Sequence, residues 1–136
     1  MQPSPQNRAV EFKKLLAKAL QKAGLQVSKS SESADRGVDI VARQSKKIYV
    51  FELKVSSESR KDRAIPLISQ GILEVQQAAA TAFPEAIPVA VFASDYVSDS
   101  LAEHVEKFAS RNAPHVGIRV IDSGGFRRFS VMVWKS

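Results

Sequence analysis

The sequence predicts an α/β domain in which a mixed β-sheet is flanked by helices. Three observations support this class: apolar residues recur at helical spacing in three segments, Val- and Ile-rich runs lie between those segments, and the composition is that of a globular protein. Hydrophobic residues make up 44% and charged residues 25% of the 136 residues. One hydrophobic core, and therefore one domain over residues 1–136, is the expectation at this length.

The first half of the chain is predicted to form a helix followed by a β-hairpin. Ser4-Pro5 is typical of a helix start, and the apolar spacing that follows ends at Gly24. A short strand over 25–28 and a polar loop over 29–36 come next. Strands over 38–43 and 47–55, separated by three polar residues, are expected to form a hairpin. The second of these strands is nearly apolar on both faces, which indicates a central position in the sheet.

The second half is predicted to alternate helices and strands. A charged loop over 56–63 precedes a helix that opens at Pro66 and ends near Phe83-Pro84. A buried strand over 87–93 and an amphipathic helix over 97–111 follow. Two further strands, over 116–121 and 128–134, are expected around a Ser123-Gly124-Gly125 turn. The apolar stretch over 126–134 is interpreted as an edge strand packed on the core, or alternatively as a dimer interface.

Composition and charge narrow the possible functions. The absence of cysteine excludes disulfides, thiolate zinc sites and cysteine nucleophiles, so a metal site would use oxygen or imidazole ligands. No apolar run has the length of a signal peptide core or a membrane span, and we expect a cytoplasmic protein with no membrane partner. Residues 1–63 contain 14 Lys and Arg against 7 Asp and Glu, whereas residues 64–136 contain 6 against 7. A basic half suggests a nucleic acid partner, although a solvated basic surface explains the count equally well.

Three ionisable residues interrupt the apolar hairpin: Asp39, Glu52 and Lys54. Side chains alternate along a strand, so Glu52 and Lys54 share one face and lie about 7 Å apart. If the hairpin loop has two or four residues, opposed residues have numbers that sum to 91, and Asp39 then faces Glu52. A three-residue loop or a bulge would shift this pairing by one residue.

Two opposed carboxylates destabilise a sheet by roughly 0.2 to 1 kcal/mol unless a cation offsets them. Carboxylate oxygens are the ligands that Mg²⁺ or Mn²⁺ prefers. A lysine beside such a site can orient an attacking water or stabilise negative charge on phosphorus, which favours phosphodiester hydrolysis. The alternative interpretation is an ordinary Glu-Lys pair on an exposed strand face.

These residues resemble a known superfamily. Gly37-Val38-Asp39, followed after twelve residues by Glu52-Leu53-Lys54, is similar to the D…(D/E)-x-K motif of PD-(D/E)XK, or restriction-endonuclease-like, nucleases. Val38 replaces the proline of the name motif, and Gly-x-Asp at this place resembles Mrr-like and Holliday-junction-resolvase-like members. The resemblance covers about residues 8–93 and implies a three-layer core, with the C-terminal helix and hairpin as additions.

The resemblance also implies an activity and further site residues. It implies a Mg²⁺-dependent endonuclease acting on DNA, with branched or damaged DNA as candidate substrates, Mn²⁺ able to substitute for Mg²⁺, and a homodimer as the working form. Glu11 on the first helix is expected to complete the metal environment. Gln70, a better match to the superfamily's glutamine than Gln76 or Gln77, is expected to position water or the lysine.

Basic residues near the motif are candidate phosphate contacts that would fix a nucleic acid backbone without reading its sequence. They lie in predicted loops and on the first helix: Arg36, Arg60, Lys61, Arg63, Lys13 and Lys14. Two alternatives to an active nuclease stay open. One is a catalytically silent DNA-binding or assembly module with the same fold, and the other is a structural domain with no nucleic acid partner.

Overall fold

The structure is a computed structural model that describes residues 5–28 and 37–129. Its elements are helices α1 (Pro5–Lys22), α2 (Lys61–Ala82) and α3 (Asp99–Asn112), and strands β1 (Gln26–Val27), β2 (Ile40–Gln44), β3 (Lys47–Val55), β4 (Ile87–Ala93), β5 (Gly117–Asp122) and β6 (Gly125–Phe129). None of the helices in these ranges is long and apolar enough to cross a membrane.

The six strands form one mixed sheet in chain order, β1 to β6. Strands β3, β4 and β5 are parallel, and the remaining neighbours are antiparallel. Helix α1 packs on one face of the sheet, while α2 and α3 pack on the other. The predicted α/β class with a mixed sheet in three layers is confirmed.

Strand β3 lies inside the sheet, as its apolar sequence predicts. Tyr49 and Phe51 are buried in the cluster beneath α1, whereas Val50 is buried in the cluster beneath α2. Both faces of the strand are therefore covered, and its amino-terminal half needs apolar residues at successive positions. The polar residues Glu52 and Lys54 follow on the α2 face.

The hairpin turn consists of two residues, Ser45 and Lys46. Gln44 pairs with Lys47, and the ladder continues to the pair Ile40 and Phe51, so opposed residue numbers sum to 91 as predicted. Ser45 adopts a φ of 56°, a left-handed conformation that tight hairpin turns require. The condition on which the position of Asp39 depended is met.

The predicted loop over 56–63 is correct only as far as Arg60, and the prediction that Pro66 opens the next helix is wrong. Helix α2 already begins at Lys61, and the Ala64 N–H donates to the Arg60 carbonyl at 2.8 Å. Pro66 lies inside the helix near its start. Because proline lacks an N–H, its position costs the helix one hydrogen bond, that to the carbonyl of Asp62. The charged residues of the first turn of α2 are typical of a loop because they show no apolar periodicity.

Other predicted boundaries move by a few residues. Strand β6 begins at Gly125 and not at 128, because the Asp122 carboxylate accepts from the Gly124 N–H at 2.9 Å and closes a two-residue turn. Strand β2 begins at Ile40 and not at 38, and α3 begins at Asp99 after a Ser98 cap and not at 97. Ser4, the loop over 29–36 with Arg36, and residues 130–134 of the last predicted strand lie outside the described residues.

Candidate active site

Glu52 and Lys54 project from β3 on the face that α2 covers. The intervening Leu53 packs toward α1, so alternation along the strand separates the polar pair from that cluster. The side chains of Glu52 and Lys54 are only 13% and 18% exposed. Burial of two ionisable groups in place of Val or Ile is costly unless they are paired, which marks the position as a candidate site.

Asp39 lies where the chain enters β2, and it is tied to β3 by two hydrogen bonds. Its N–H donates to the Phe51 carbonyl at 3.0 Å, and its Oδ2 accepts from the Leu53 N–H at 2.7 Å. Its carboxylate also lies close enough to Glu52 to raise the pKa of that group. The structure thus brings Asp39, Glu52 and Lys54 together, as the register argument predicts.

Glu52 has a strongly raised pKa in the folded protein. Burial raises the pKa of Glu52, and the neighbouring Asp39 carboxylate raises it further; the positive charge of Lys54 acts in the opposite direction, and the net pKa is about 8. Glu52 is therefore largely protonated at neutral pH. A positive charge placed beside Glu52 would favour its ionisation at neutral pH.

Glu52→Gln is expected to stabilise the metal-free protein at alkaline pH. The folded-state pKa of Glu52 lies above its unfolded value, so this group's contribution to stability is complete at low pH and is lost as pH rises through about 8. Glutamine keeps a donor to Asp39 without this loss. In thermal melts with EDTA, the Tm of the variant should exceed that of wild type at pH 9 by several degrees, given about 3 to 6 °C per kcal/mol.

The same comparison at pH 5 is the control. Wild-type Glu52 is protonated there in the folded protein, so the two melting temperatures should differ little. A Tm difference that is equal at pH 5 and pH 9 would mean that the pKa of Glu52 is not raised in the folded protein.

Lys54 makes its closest ion pair with Glu74 of α2 and not with Glu52. Its Nζ lies 2.6 Å from Glu74 Oε2 and 4.0 Å from Glu52 Oε1. Gln70 donates to Glu74 Oε1 at 3.1 Å. The hydrogen bond from Lys54 lowers the pKa of Glu74, which keeps that carboxylate ionised.

Glu74 was not selected from the sequence. The available signal was its spacing: it follows Gln70 by four residues, on the helix turn that faces the strand bearing Lys54. Gln70 contacts Glu74 and not Lys54 directly. Of the two alternatives, Gln76 bonds His115, and Gln77 lines a cleft together with Glu52 and Glu74.

Glu11 is not among the residues that the structure brings together. Its side chain is 56% exposed and pairs with Arg8, which also pairs with Asp95 and lies over the Phe12 ring. Among the described contacts, Glu11 bonds Arg8 and neither Asp39 nor Glu52. The expected role of Glu11 in the metal environment stays a prediction.

Three clefts reach the Asp39–Glu52–Lys54 group from different sides. One of about 640 Å³ is lined by Glu52 and Glu74, and one of about 420 Å³ by Lys13, Lys14 and Asp39. The largest, about 940 Å³, has Lys54, Gln70 and Arg8 among its lining residues.

The candidate basic residues fall into two groups. Lys13 and Lys14 line the same cleft as Asp39. Arg60 and Arg63, at the start of α2, both pair with Glu58, at 2.7 and 3.4 Å, and Lys61 is exposed beside them. The two lysines thus lie beside Asp39, whereas the two arginines are paired with Glu58.

The donor set of the site fits a hard divalent cation. Asp39 and Glu52 offer carboxylate oxygens, and their mutual repulsion, which raises the pKa of Glu52, is the interaction that a dication relieves. Within residues 5–28 and 37–129, no three His, Asp or Glu side chains lie close enough together to hold a metal ion. A cation here would draw on two protein carboxylates, with water and phosphate oxygens completing the shell, as is common for Mg²⁺.

The fold and this site define a restriction-endonuclease-like protein of the PD-(D/E)XK superfamily. A family model described as a restriction endonuclease, Mrr_cat, matches residues 6–128. The chain belongs to this Mrr-like restriction endonuclease family. The match extends beyond residues 8–93, which the motif resemblance covers, and includes α3, β5 and most of β6.

Two solved structures share the fold. An XisH family protein from Nostoc punctiforme superposes with a TM-score of 0.61 and 12% identity, covering 87% of this chain and 97% of that one. An fdxN element excision controlling factor protein from Anabaena variabilis gives the same TM-score and identity, covering 87% and 96%. No curated protein sequence matches the chain significantly.

Proposed function

We propose that this chain is a Mg²⁺-dependent endonuclease that hydrolyses DNA phosphodiester bonds, with residues 1–136 as one nuclease domain. The observation that carries the proposal is the convergence of Asp39, Glu52 and Lys54 on one buried face. The carboxylate of Asp39 is close enough to Glu52 to raise its pKa, and the ammonium of Lys54 lies 4.0 Å from Glu52. Membership in the restriction endonuclease family supports a nuclease in general.

Asp39 and Glu52 are the residues that would hold the metal. Bound there, Mg²⁺ supplies Lewis acidity toward the phosphate and lowers the pKa of water. Asp39 is fixed by the Leu53 N–H, so its free oxygen has a defined direction. Glu52 must lose its proton to serve as a ligand, and this requirement predicts that metal affinity rises with pH up to about 8.

Lys54 provides the positive charge for the reaction. Its ammonium group is held within a half-buried site, where charge interacts more strongly than in water. There it would orient the attacking water and stabilise negative charge that grows on the phosphate oxygens. Gln70 is proposed to act indirectly, through Glu74, and Glu11 to join the site only if it leaves Arg8.

Lys13 and Lys14 are proposed to contact the DNA backbone beside the carboxylates. The double change Lys13→Ala with Lys14→Ala should weaken DNA binding and reduce the slope of log K against log salt by about 1 to 2, because each lost phosphate contact removes about 0.9. Fluorescence anisotropy across a salt series measures both quantities.

Lys107→Ala is the matched control for the lysine pair. Lys107 is exposed on α3 and paired with Glu103 at 3.0 Å, away from the described clefts. Its loss should leave the salt slope unchanged. Equal effects of the two changes would show that DNA responds to total charge and not to the Lys13–Lys14 surface.

We further propose that the working form is a homodimer, since one catalytic group cuts one strand and two are needed to cut both. Light scattering at working concentration tests this, and a monomeric mass would contradict it.

A catalytically silent DNA-binding or assembly module is the second candidate. Two observations favour this module: among the described contacts Glu11 pairs with Arg8 and not with Asp39 or Glu52, and the fold is shared with a protein named as an excision controlling factor. Salt-dependent DNA binding without turnover would identify it.

A further inference from the structure

We infer that Glu74 is a positioning residue for Lys54, holding the lysine ammonium away from Glu52 and in place for catalysis. This inference rests on the proposed nuclease function and adds to it a residue outside the D…(D/E)-x-K motif. The ion pair between Lys54 Nζ and Glu74 Oε2, at 2.6 Å, is much shorter than the 4.0 Å separation from Glu52. The carboxylate that fixes the lysine is therefore on the helix and not on its own strand.

Glu74 is itself held in place. It lies within α2, a helix of 22 residues that is anchored to the sheet by buried side chains such as Ile72 and Val75. Gln70, one turn earlier, donates to its other carboxylate oxygen at 3.1 Å. Each oxygen of Glu74 thus has its own partner, so the side chain presents a fixed acceptor to Lys54.

The stem of Lys54 is confined by the same helix. A Cβ atom at Gly71 would lie only 3.1 Å from Lys54 Cγ, closer than ordinary carbon contacts. The glycine allows α2 to approach β3 closely enough for Glu74 to reach the ammonium. The helix therefore constrains Lys54 at both its stem and its charged end.

The constraint on Lys54 matters because Glu52 is an alternative partner for its ammonium group. Without Glu74, the nearest carboxylate to the Lys54 ammonium is Glu52, and a flexible four-carbon stem would let the two groups close. Lys54 would then neutralise a proposed metal ligand and leave the position that it needs. Displacement of a catalytic group by about 1 Å can cost on the order of 100-fold in rate.

Two substitutions test the inference, Glu74→Ala and the nearly isosteric Glu74→Gln. Both should lower kcat for DNA cleavage by on the order of 10- to 100-fold, as losses of supporting residues do, with little change in KM or in DNA affinity. Glu74→Asp keeps the charge and should restore part of kcat. Glu103→Gln, which removes an exposed helix carboxylate paired with Lys107, should leave kcat unchanged.

A second measurement reads Lys54 directly and needs no activity. In the metal-free protein, the hydrogen-bonded ammonium should give a slowly exchanging signal in a ¹H–¹⁵N spectrum of lysine side chains, assigned by its loss in Lys54→Met. Glu74→Ala and Glu74→Gln should abolish it. An unchanged Lys54 signal, or an unchanged kcat, in these folded variants would overturn the inference. If the wild-type protein cleaves no DNA, the proposed function fails, while the ammonium signal still decides the role of Glu74.

Discussion

Lys54→Met is expected to lower the rate of DNA cleavage by about 100- to 1000-fold, the usual cost of removing one preorganised charge from a transition state. The protein should stay folded, because methionine retains the apolar stem that packs under Gly71. DNA binding should also persist, since Lys13 and Lys14 lie elsewhere in the site. Single-turnover cleavage rates, compared with anisotropy and thermal melts on the same preparations, measure these three properties.

Lys54→Met removes the ion-pair partner of Glu74, whose side chain is 37% exposed. That carboxylate can be solvated, so the effect on stability should be small. If Lys54→Met cleaves DNA at a rate within about threefold of wild type, the charge of Lys54 does not stabilise the transition state. Lys47→Met, at an exposed position near the hairpin turn, is the control for removing one positive charge from the same strand.

Asp39→Asn is expected to abolish detectable cleavage and to weaken Mg²⁺ binding without unfolding the protein. Asparagine keeps the oxygen that accepts from the Leu53 N–H at 2.7 Å, and it removes the charge that raises the pKa of Glu52. The metal-free variant should therefore be at least as stable as wild type at alkaline pH. Isothermal titration with Mn²⁺ and thermal melts in EDTA measure the two effects separately.

Asp39→Ala is the informative comparison. It removes both the charge and the hydrogen bond, and it leaves the Leu53 N–H without its acceptor, at a cost of about 1 to 3 kcal/mol. Both variants should lose cleavage, but only alanine should lower the Tm appreciably. If asparagine retains wild-type metal affinity and turnover, Asp39 has a structural role in the hairpin and is not a metal ligand.

The hairpin could be predicted because its information is local. A two-residue turn sets the register for the whole ladder, and from that register the position of Asp39 opposite Glu52 follows. The alternation along β3 likewise places Glu52 and Lys54 on one face. These three residues could be selected from sequence because charge in an apolar strand is unusual.

Tertiary contacts explain what the sequence did not reveal. Glu74 is an ordinary glutamate on an amphipathic helix until α2 packs against β3, with Gly71 permitting the close approach that brings it to Lys54. The superfamily resemblance predicts Glu11 at the site. No pattern in the sequence indicates that Arg8 binds it instead. The start of α2 is not predicted correctly, because proline is typical of the first position of a helix and Pro66 lies inside this one.

The central claim is tested most directly by incubating the purified protein with branched, linear duplex and single-stranded DNA, in Mg²⁺ and in EDTA, beside Asp39→Asn and Lys54→Met. We predict cleavage of at least one substrate by the wild-type protein in Mg²⁺ or Mn²⁺, none in EDTA, and none or very little by either variant although both bind DNA. Cleavage that survives both substitutions, or that proceeds equally in EDTA, would contradict the assignment of Asp39, Glu52 and Lys54 as the catalytic group.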